Sequence, residues 1–334
     1  MNNSVEKNES REQKFNTLKG LSLTKTEVTS LYQACRSARI LVIGSLNIDL
    51  ILEINGCPED DSTLTIRSES TLPGGHAGNC AAALAKLGVS VAILGAIGTD
   101  SNGDILINDL SQRGIDVSYV QRVSEAPTGR VIIPLFSNQH FMLMSRGANE
   151  YLTANDIEEA ISNADAIITF DPTPIALHAL MKVMISNPKK PPLFWNPGGI
   201  YAGDKLVDMI IPACHTLIVN RHEYSLITCD SSRLSIHEDI PEIITTLGFE
   251  GSQLQANNML TKVPSPSINA VDPTGAGDTF TAAYVVSFIA GLEATQRLRF
   301  ANIAGAIATM AKGARGNLPT LAQLVTTNIT IPTH

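Results

Sequence analysis

The sequence has no pair of cysteines at C-x-x-C spacing, no histidine cluster at zinc spacing and no long basic run. Its five cysteines, Cys35, Cys57, Cys80, Cys214 and Cys229, are too scattered to frame a disulfide scaffold or a metal knuckle, so they read as reduced and mostly buried thiols. With 24 Lys and Arg against 32 Asp and Glu the formal charge is −8, which argues against a surface that coats nucleic acid. The longest apolar stretches, such as residues 282–292, fall short of the roughly 20 residues that a bilayer-spanning helix needs. The opening MNNSVEKNESREQK lacks the apolar core of a signal peptide. The sequons at Asn2, Asn8 and Asn328 therefore have no secretory context. There is no G-x-x-x-x-G-K-S/T, and Gly95-Ala96-Ile97-Gly98 lacks the G-x-G-x-x-G fingerprint, which excludes a P-loop and a Rossmann dehydrogenase. A cytoplasmic protein acting on a small molecule is expected, with neither nucleic acid nor membrane as partner.

What is present is a chain of 334 residues, 44% hydrophobic, long enough to bury a large core in one large α/β domain or two smaller ones. Residues 1–37 form a polar extension, whose first 20 residues are expected to lack fixed structure. Thr24 and Glu27 make a capping-box pattern ahead of a short helix ending near Ser37. The extension reads as a flexible tail with a docked helix, or as the remnant of a regulatory element. At Ala38 the texture changes: ARILVIGSLNIDLILEI is the apolar, β-branched run of a buried central strand. Residues 62–72 and 128–144 alternate apolar and polar, the latter around a turn at Ser137-Asn138-Gln139, so a small second sheet is expected beside the main one. One apolar face cannot stand in water, so this sheet must cover a site or pair with another copy. Elsewhere helix and strand alternate, which predicts a mainly parallel sheet that binds ligands at the carboxyl ends of its strands. The loops of interest are thus GSLNID, NPGG, NRHE, TLGFEG and VDPTGAGD.

The strongest chemical signal is VDPTGAGDTF at 271–280, followed by the apolar helical stretch TAAYVVSFIA. A Gly-Ala-Gly turn opening a helix presents backbone N–H groups and the positive end of the helix dipole to a phosphate. Asp278 at its edge can accept the proton of an attacking hydroxyl, or can simply cap the helix. The second signal is Pro73-Gly74-Gly75-His76-Ala77-Gly78-Asn79, whose glycines let the backbone approach a ligand closely; a tight turn with an Asn cap is its plainer reading. Asn47 and Asp49 follow the first strand and offer an amide and a carboxylate of the kind that grips vicinal hydroxyls.

These segments, with Gly147-Ala148-Asn149, Asn220-x-x-Glu223 and Thr246-Leu247-Gly248-x-x-Gly251, occur in the order and spacing of the ribokinase-like family, also called the phosphofructokinase B family of carbohydrate and nucleoside kinases. The chain resembles that family from about Arg39 to Pro319. The resemblance implies a three-layer α/β/α fold with a mainly parallel central sheet and a small β-sheet lid. The kinase domain would span 38–325, with lid strands at about 46–72 and 128–145, and a tail at 326–334. It also implies ATP-dependent transfer of the γ-phosphate to a hydroxyl of a small sugar or nucleoside, with Mg²⁺. Asp278 would be the base, and Gly275, Ala276 and Gly277 the anion hole. Asn47, Asp49, Gly74, Gly75 and Asn79 would contact the substrate; Asn220, Glu223, Thr246, Gly248, Gly251 and Asn302 would serve ATP. Asp272, Thr274, Ala308, Ala311, Gly313 and Asn317 match the positions of a monovalent-cation site, expected to take K⁺; Asp272 as a turn-capping carboxylate is the competing reading. A homodimer through the lid is expected.

Two departures from the family pattern lie on the substrate side. His76 stands where ribokinase-type sequences carry Lys, and the acidic residue usual near the end of the middle strand is displaced, leaving Asp171-Pro172. His76 either touches substrate or is satisfied by backbone. Arg67, Arg130 and Arg146 are the candidates for a phosphorylated substrate. A non-catalytic sugar or nucleoside sensor on the same fold is the alternative in a different class.

Overall fold

Nine strands make the central sheet of the computed structural model, which describes residues 23–57, 60–136, 139–187, 190–229 and 240–326. From one edge to the other they are Met259–Val263, Ser252–Ala256, Glu242–Thr246, Thr216–Asn220, Leu193–Trp195, Ala166–Thr169, Arg39–Ile43, Ser90–Gly98 and Val120–Val123. The seven from Glu242–Thr246 to Val120–Val123 are parallel, and Ser252–Ala256 pairs antiparallel with both of its neighbours. The first 22 residues, the sequons at Asn2, Asn8 and Asn328, the Ser137-Asn138 part of the expected turn and the tail beyond 326 lie outside the described residues.

Period-2 alternation explains the three layers. Along Arg39–Ile43, Ile40 and Val42 enter one core cluster while Leu41 and Ile43 enter the other, on the opposite face. The same split separates Ile218 from Leu217 and Val219. A strand buried on both faces needs apolar residues at successive positions, as residues 40–43 supply. On the first face lie the helices His76–Leu87, Ala276–Ile289 and Ala294–Ala308, and Pro174–Ser186 lies on the second. Ala276–Ile289 is buried at every position from 278 to 287, as an all-round apolar helix must be.

The helix Lys25–Ser37 starts at the capping box read from the sequence: Glu27 N donates to Thr24 Oγ1 at 3.2 Å and Thr24 N to Glu27 Oε2 at 2.7 Å. It buries Leu31, Ala34 and Cys35 and packs on Ala276–Ile289. Within the core, Glu242 accepts both guanidinium nitrogens of Arg297, at 2.7 and 3.0 Å, and the Tyr284 hydroxyl at 2.7 Å.

The second sheet has five strands. Asn47–Ile54 lies between Ile66–Gly74 (antiparallel) and Gly129–Phe136 (parallel), and Gly129–Phe136 also pairs with Gln139–His140 and Leu143–Ser145. The expected alternating strands at 62–72 and 128–144 thus form one sheet, joined by the first half of the lid segment. Asn47 follows the central strand Arg39–Ile43 by four residues, so the lid springs from the carboxyl end of the sheet. At that strand the order reverses: its neighbours are Ser90–Gly98 on one side and Ala166–Thr169 on the other. Such a switch point leaves a crevice for ligands.

Candidate active site

Two helix starts meet over that crevice. The helix His76–Leu87 is entered through Gly75 at φ +86°, and Ala276–Ile289 through Gly275 at φ +77°. Both positions are left-handed, and a Cβ on Gly275 would lie 2.7 Å from that of Ala314, so only glycine allows these turns. Ala276 N donates to Pro273 O at 3.2 Å. The next two N–H groups, at Gly277 and Asp278, have no acceptor inside the helix. They lie at the positive end of the helix dipole, a setting for an anion.

Asp278 is 5% exposed and held at both oxygens. His76 Nδ1 lies 3.0 Å from Oδ1, and Asn79 Nδ2 donates to Oδ2 at 2.9 Å. His76 and Asn79 are three apart on one helix and so share a face. Asn79 is fixed in turn by Arg315, whose Nε donates to Asn79 Oδ1 at 3.0 Å and whose Nη2 donates to Gly74 O at 2.9 Å. Asn79, expected to contact the sugar, therefore has its amide committed at both ends to protein groups.

The imidazole of His76 stacks on Phe170 at 5.7 Å between centroids and 11° between planes, with about half of its surface (53%) exposed. Desolvation disfavours its charged form, but the charge and hydrogen bond of Asp278 outweigh that, with Asp171 and Glu223 adding to them, and lift it to about 10. Above the glycine loop, Asp49 is 7% exposed. Burial raises its carboxyl to about 6, against the pull of Arg315 and His76. A Cβ on Gly74 would overlap the Asp49 carboxylate, which is the reason a glycine faces it. Asn47 accepts from Asn149 Nδ2 at 2.9 Å, and Asn149 also binds both backbone groups of Leu46. The Gly147-Ala148-Asn149 motif thereby anchors the base of the lid.

On the other side of Gly275 lies a cavity of about 640 Å³. Thr246, Gly248, Gly251, Asn302, Ala276 and Gly277 all line it, so the structure brings these six expected residues together. Asn302 Nδ2 donates to Val263 O at 3.0 Å, which fixes the side chain at the cavity wall. Asn220 pairs in register with Thr246 on the neighbouring strand. It forms a reciprocal capping box with Glu223, both bonds at 2.9 Å. Burial raises the Glu223 carboxyl, with the Asn220 amide and His76 acting in the opposite direction.

The expected cation residues fall on two joined loops. Asp272 accepts from Thr274 N at 2.9 Å and from Gly313 N at 2.7 Å, while Thr309 O accepts from Val271 N and Asp272 N. Asn317 Nδ2 donates to the Ile307 carbonyl beside Ala308 at 2.7 Å, and Ala311 belongs to the same loop. Asp272 is thus a turn-capping carboxylate in this structure, whatever else it binds.

Arg315 is absent from the residues that the motifs single out, Asp171 stands there only as a departure, and His76, expected to touch substrate or be satisfied by backbone, bonds to the Asp278 side chain instead of a backbone group. Asp171 is 2% exposed, accepts from Ser45 N at 3.1 Å and faces Arg146 Nη1 at 3.5 Å. Gly78 leaves room for Arg315, since a Cβ there would collide with the guanidinium, but only the fold brings the two together. Arg67 and Arg130 show no bond into this cluster among the described residues, and Arg146 alone of the three reaches Asp171.

The family model described as pfkB family carbohydrate kinase matches residues 37–321. A ribokinase of Bacillus subtilis (strain 168) is 30% identical over 289 residues, covering 84% of this chain and 96% of that protein. The structure of Arabidopsis thaliana ribokinase complexed with ribose and ATP superposes with a TM-score of 0.76 at 26% identity, over 86% of this chain and 97% of that one. A nucleoside kinase of Burkholderia thailandensis in complex with inosine shares the fold, with a TM-score of 0.76 at 21% identity, over 85% and 96% of the two chains. With a switch-point crevice, a glycine-opened helix over it and a family match across most of its length, this chain belongs to the pfkB family of carbohydrate kinases and is an ATP-dependent carbohydrate kinase of the ribokinase-like fold.

Proposed function

We propose that the protein moves the γ-phosphoryl group of ATP onto a hydroxyl of a pentose-like sugar or a nucleoside, with Asp278 as general base. The observation that carries this reading is the place of Asp278. It opens the helix whose first residues line the large cavity, and its side chain is bonded to the glycine loop on the lid side. A nucleotide in the cavity and an acceptor under the lid would meet there. The acceptor hydroxyl gives its proton to Asp278 as its oxygen bonds to the γ-phosphorus; the bond from that phosphorus to the β,γ-bridging oxygen breaks and ADP leaves. The bonds from His76 and Asn79 use one lone pair on each carboxylate oxygen, so capacity for that proton remains. The amides of the Gly275–Gly277 turn would hold the transferring group.

Asn47, Asp49 and Gly75 would grip the acceptor, and the ribokinase relatives favour a pentose. The donor set suits Mg²⁺ held largely through water and phosphate oxygens, since the capping box commits only one oxygen of Glu223. Mg²⁺ would neutralise charge on the phosphates. K⁺ would lie between the 271–274 and 309–317 loops on backbone carbonyls. Its expected effect is a higher kcat in K⁺ than in a large organic cation at equal ionic strength, and equal rates in the two would remove the cation from the account. Ile66, Met142, Leu143 and Met144 are exposed on the lid, and this face would pair with a second copy. Light scattering should then give twice the 35.7 kDa chain mass, and Leu143→Asp should return a monomer. Five unpaired cysteines suit a reducing cytoplasm, and no helix among the described residues is long and apolar enough to cross a membrane. The test of the function is an ADP-release screen over pentoses, hexoses, sugar acids and nucleosides, in which a pentose or nucleoside should give the highest kcat/KM. Activity confined to sugar acids would overturn the acceptor class.

A further inference from the structure

Four carboxylates converge on the crevice from four elements. Asp49 comes from a lid strand, Asp171 from the end of Ala166–Thr169, Glu223 from the first turn of Arg221–Thr228, and Asp278 from the first turn of Ala276–Ile289. Like charges crowded in a partly desolvated cleft favour protonation of at least one of them. A general base accepts a proton only in its ionised form, so the cations that face Asp278 bear on its work.

One cation does so by contact and a second through an intervening amide. His76 meets Oδ1 directly, and its ring is locked flat on Phe170, whose own carbonyl is held by Trp195 Nε1 at 3.0 Å. Arg315 meets Oδ2 through Asn79. Its side chain is only 5% exposed and is fixed at three points, by Asp109, Asn79 and Gly74 O. Because Arg315 only donates hydrogen bonds, it binds the amide oxygen of Asn79 and so turns the NH₂ toward Asp278. Gly78 leaves the space the guanidinium fills.

We infer that His76 and Arg315 are positioning residues for Asp278, forming with Asn79 a clamp that grips the carboxylate by both oxygens and sets a cation behind each. The clamp aims Asp278 at the acceptor hydroxyl and sets positive charge beside it. The lifted proton affinity of His76 agrees with this, since its imidazolium then persists through neutral pH. The other ionisable groups around the pair are the Cys80 thiol, pushed well up by burial, Asp272 ahead of the helix, His222 beside Glu223, and Arg113 with Asp109 beyond Arg315. None of them touches Asp278 in place of His76 or Asn79. In this reading the departure from Lys at position 76 keeps a positive charge near the base, and changes its reach and geometry.

The inference rests on Asp278 being the base, and the test separates the two. In the full-length protein, the His76 ring proton resonance is assigned by its loss in His76→Gln and followed from pH 5 to 10. The clamp predicts an imidazolium still mainly protonated at pH 8, and a titration midpoint that falls by at least about one unit in Asp278→Asn. In steady-state kinetics, His76→Gln should lower kcat about 10- to 100-fold, with KM for ATP changed less than about 3-fold. The acidic limb of its kcat–pH profile should move to higher pH, because the positive charge beside the carboxylate cluster is lost. His76→Lys, which restores the charge, should recover much of kcat and return the limb toward its original place. Arg315→Lys should give a smaller shift in the same direction. A wild-type His76 that titrates near the ordinary 6.5, or a His76→Gln enzyme whose kcat–pH profile matches wild type, overturns the clamp. Should Asp278→Asn keep its turnover while the His76 titration still depends on Asp278, the base assignment fails and the ion pair stands. Should Asp278→Asn be inactive while His76 titrates normally, only the clamp fails.

Discussion

Asp278→Asn should leave an enzyme that binds ATP with nearly unchanged affinity and turns over at about one hundredth of the wild-type rate or less. The asparagine keeps the size of the side chain and can still accept a hydrogen bond, so the helix start at Gly275 and the large cavity should persist. What it cannot do is take the proton from the acceptor hydroxyl. The amide also meets His76 Nδ1 and the Asn79 NH₂ where a carboxylate accepted from both, and it can offer an oxygen to only one of them. Steady-state kinetics with ATP titration of the folded variant check this. Turnover above roughly one percent of wild type would show that the hydroxyl loses its proton by another route.

Replacing Asp49 should act on the other substrate. Asp49→Ala is expected to lower kcat/KM for the acceptor by about 100-fold, the loss of two charge-assisted hydrogen bonds, while KM for ATP moves little. Since burial lifts the Asp49 carboxyl to about 6, the acid form predominates below pH 6 and the carboxylate above it. Acceptor affinity in the wild type should therefore weaken as pH falls through about 6, and Asp49→Asn, which cannot ionise, should lose that limb. Measuring acceptor KM from pH 5 to 8 in both proteins gives the result. Equal losses toward ATP and acceptor would place Asp49 outside the acceptor pocket.

How far such a site is legible beforehand depends on what kind of contact each residue makes. The Gly-Ala-Gly turn, the capping box at Thr24 and Glu27, and the unbroken apolar run at 40–43 are local: their cause lies within a few residues, so sequence shows them. The alternating lid strands were equally plain. Their pairing across Asn47–Ile54 was a matter of register, which the expected lid range from about 46 already allowed. Arg315 is the opposite case. Its partners Asn79 and Asp109 lie 236 and 206 positions away, and one arginine in a glycine-rich loop carries no pattern. His76 was visible as a departure but its partner was not, because only the fold brings the starts of two helices together. Asn79 shows what a motif alone leaves out. Its amide serves Asp278 and Arg315, a use that only the hydrogen-bond geometry reveals. Asp272 is similar: a carboxylate three residues before the glycine turn reads as a charge needing a cation, yet two backbone amides already bond to it.

The central claim is transfer of the γ-phosphoryl group to an acceptor hydroxyl at Asp278, and ³¹P NMR of the reaction mixture tests it most directly. With ATP, Mg²⁺ and the acceptor that the ADP-release screen ranks first, a new phosphomonoester signal should grow in step with ADP and in equal amount. It should be missing with Asp278→Asn. Release of inorganic phosphate at the same rate with and without the acceptor, or binding of the acceptor with no phosphomonoester formed, would contradict the account.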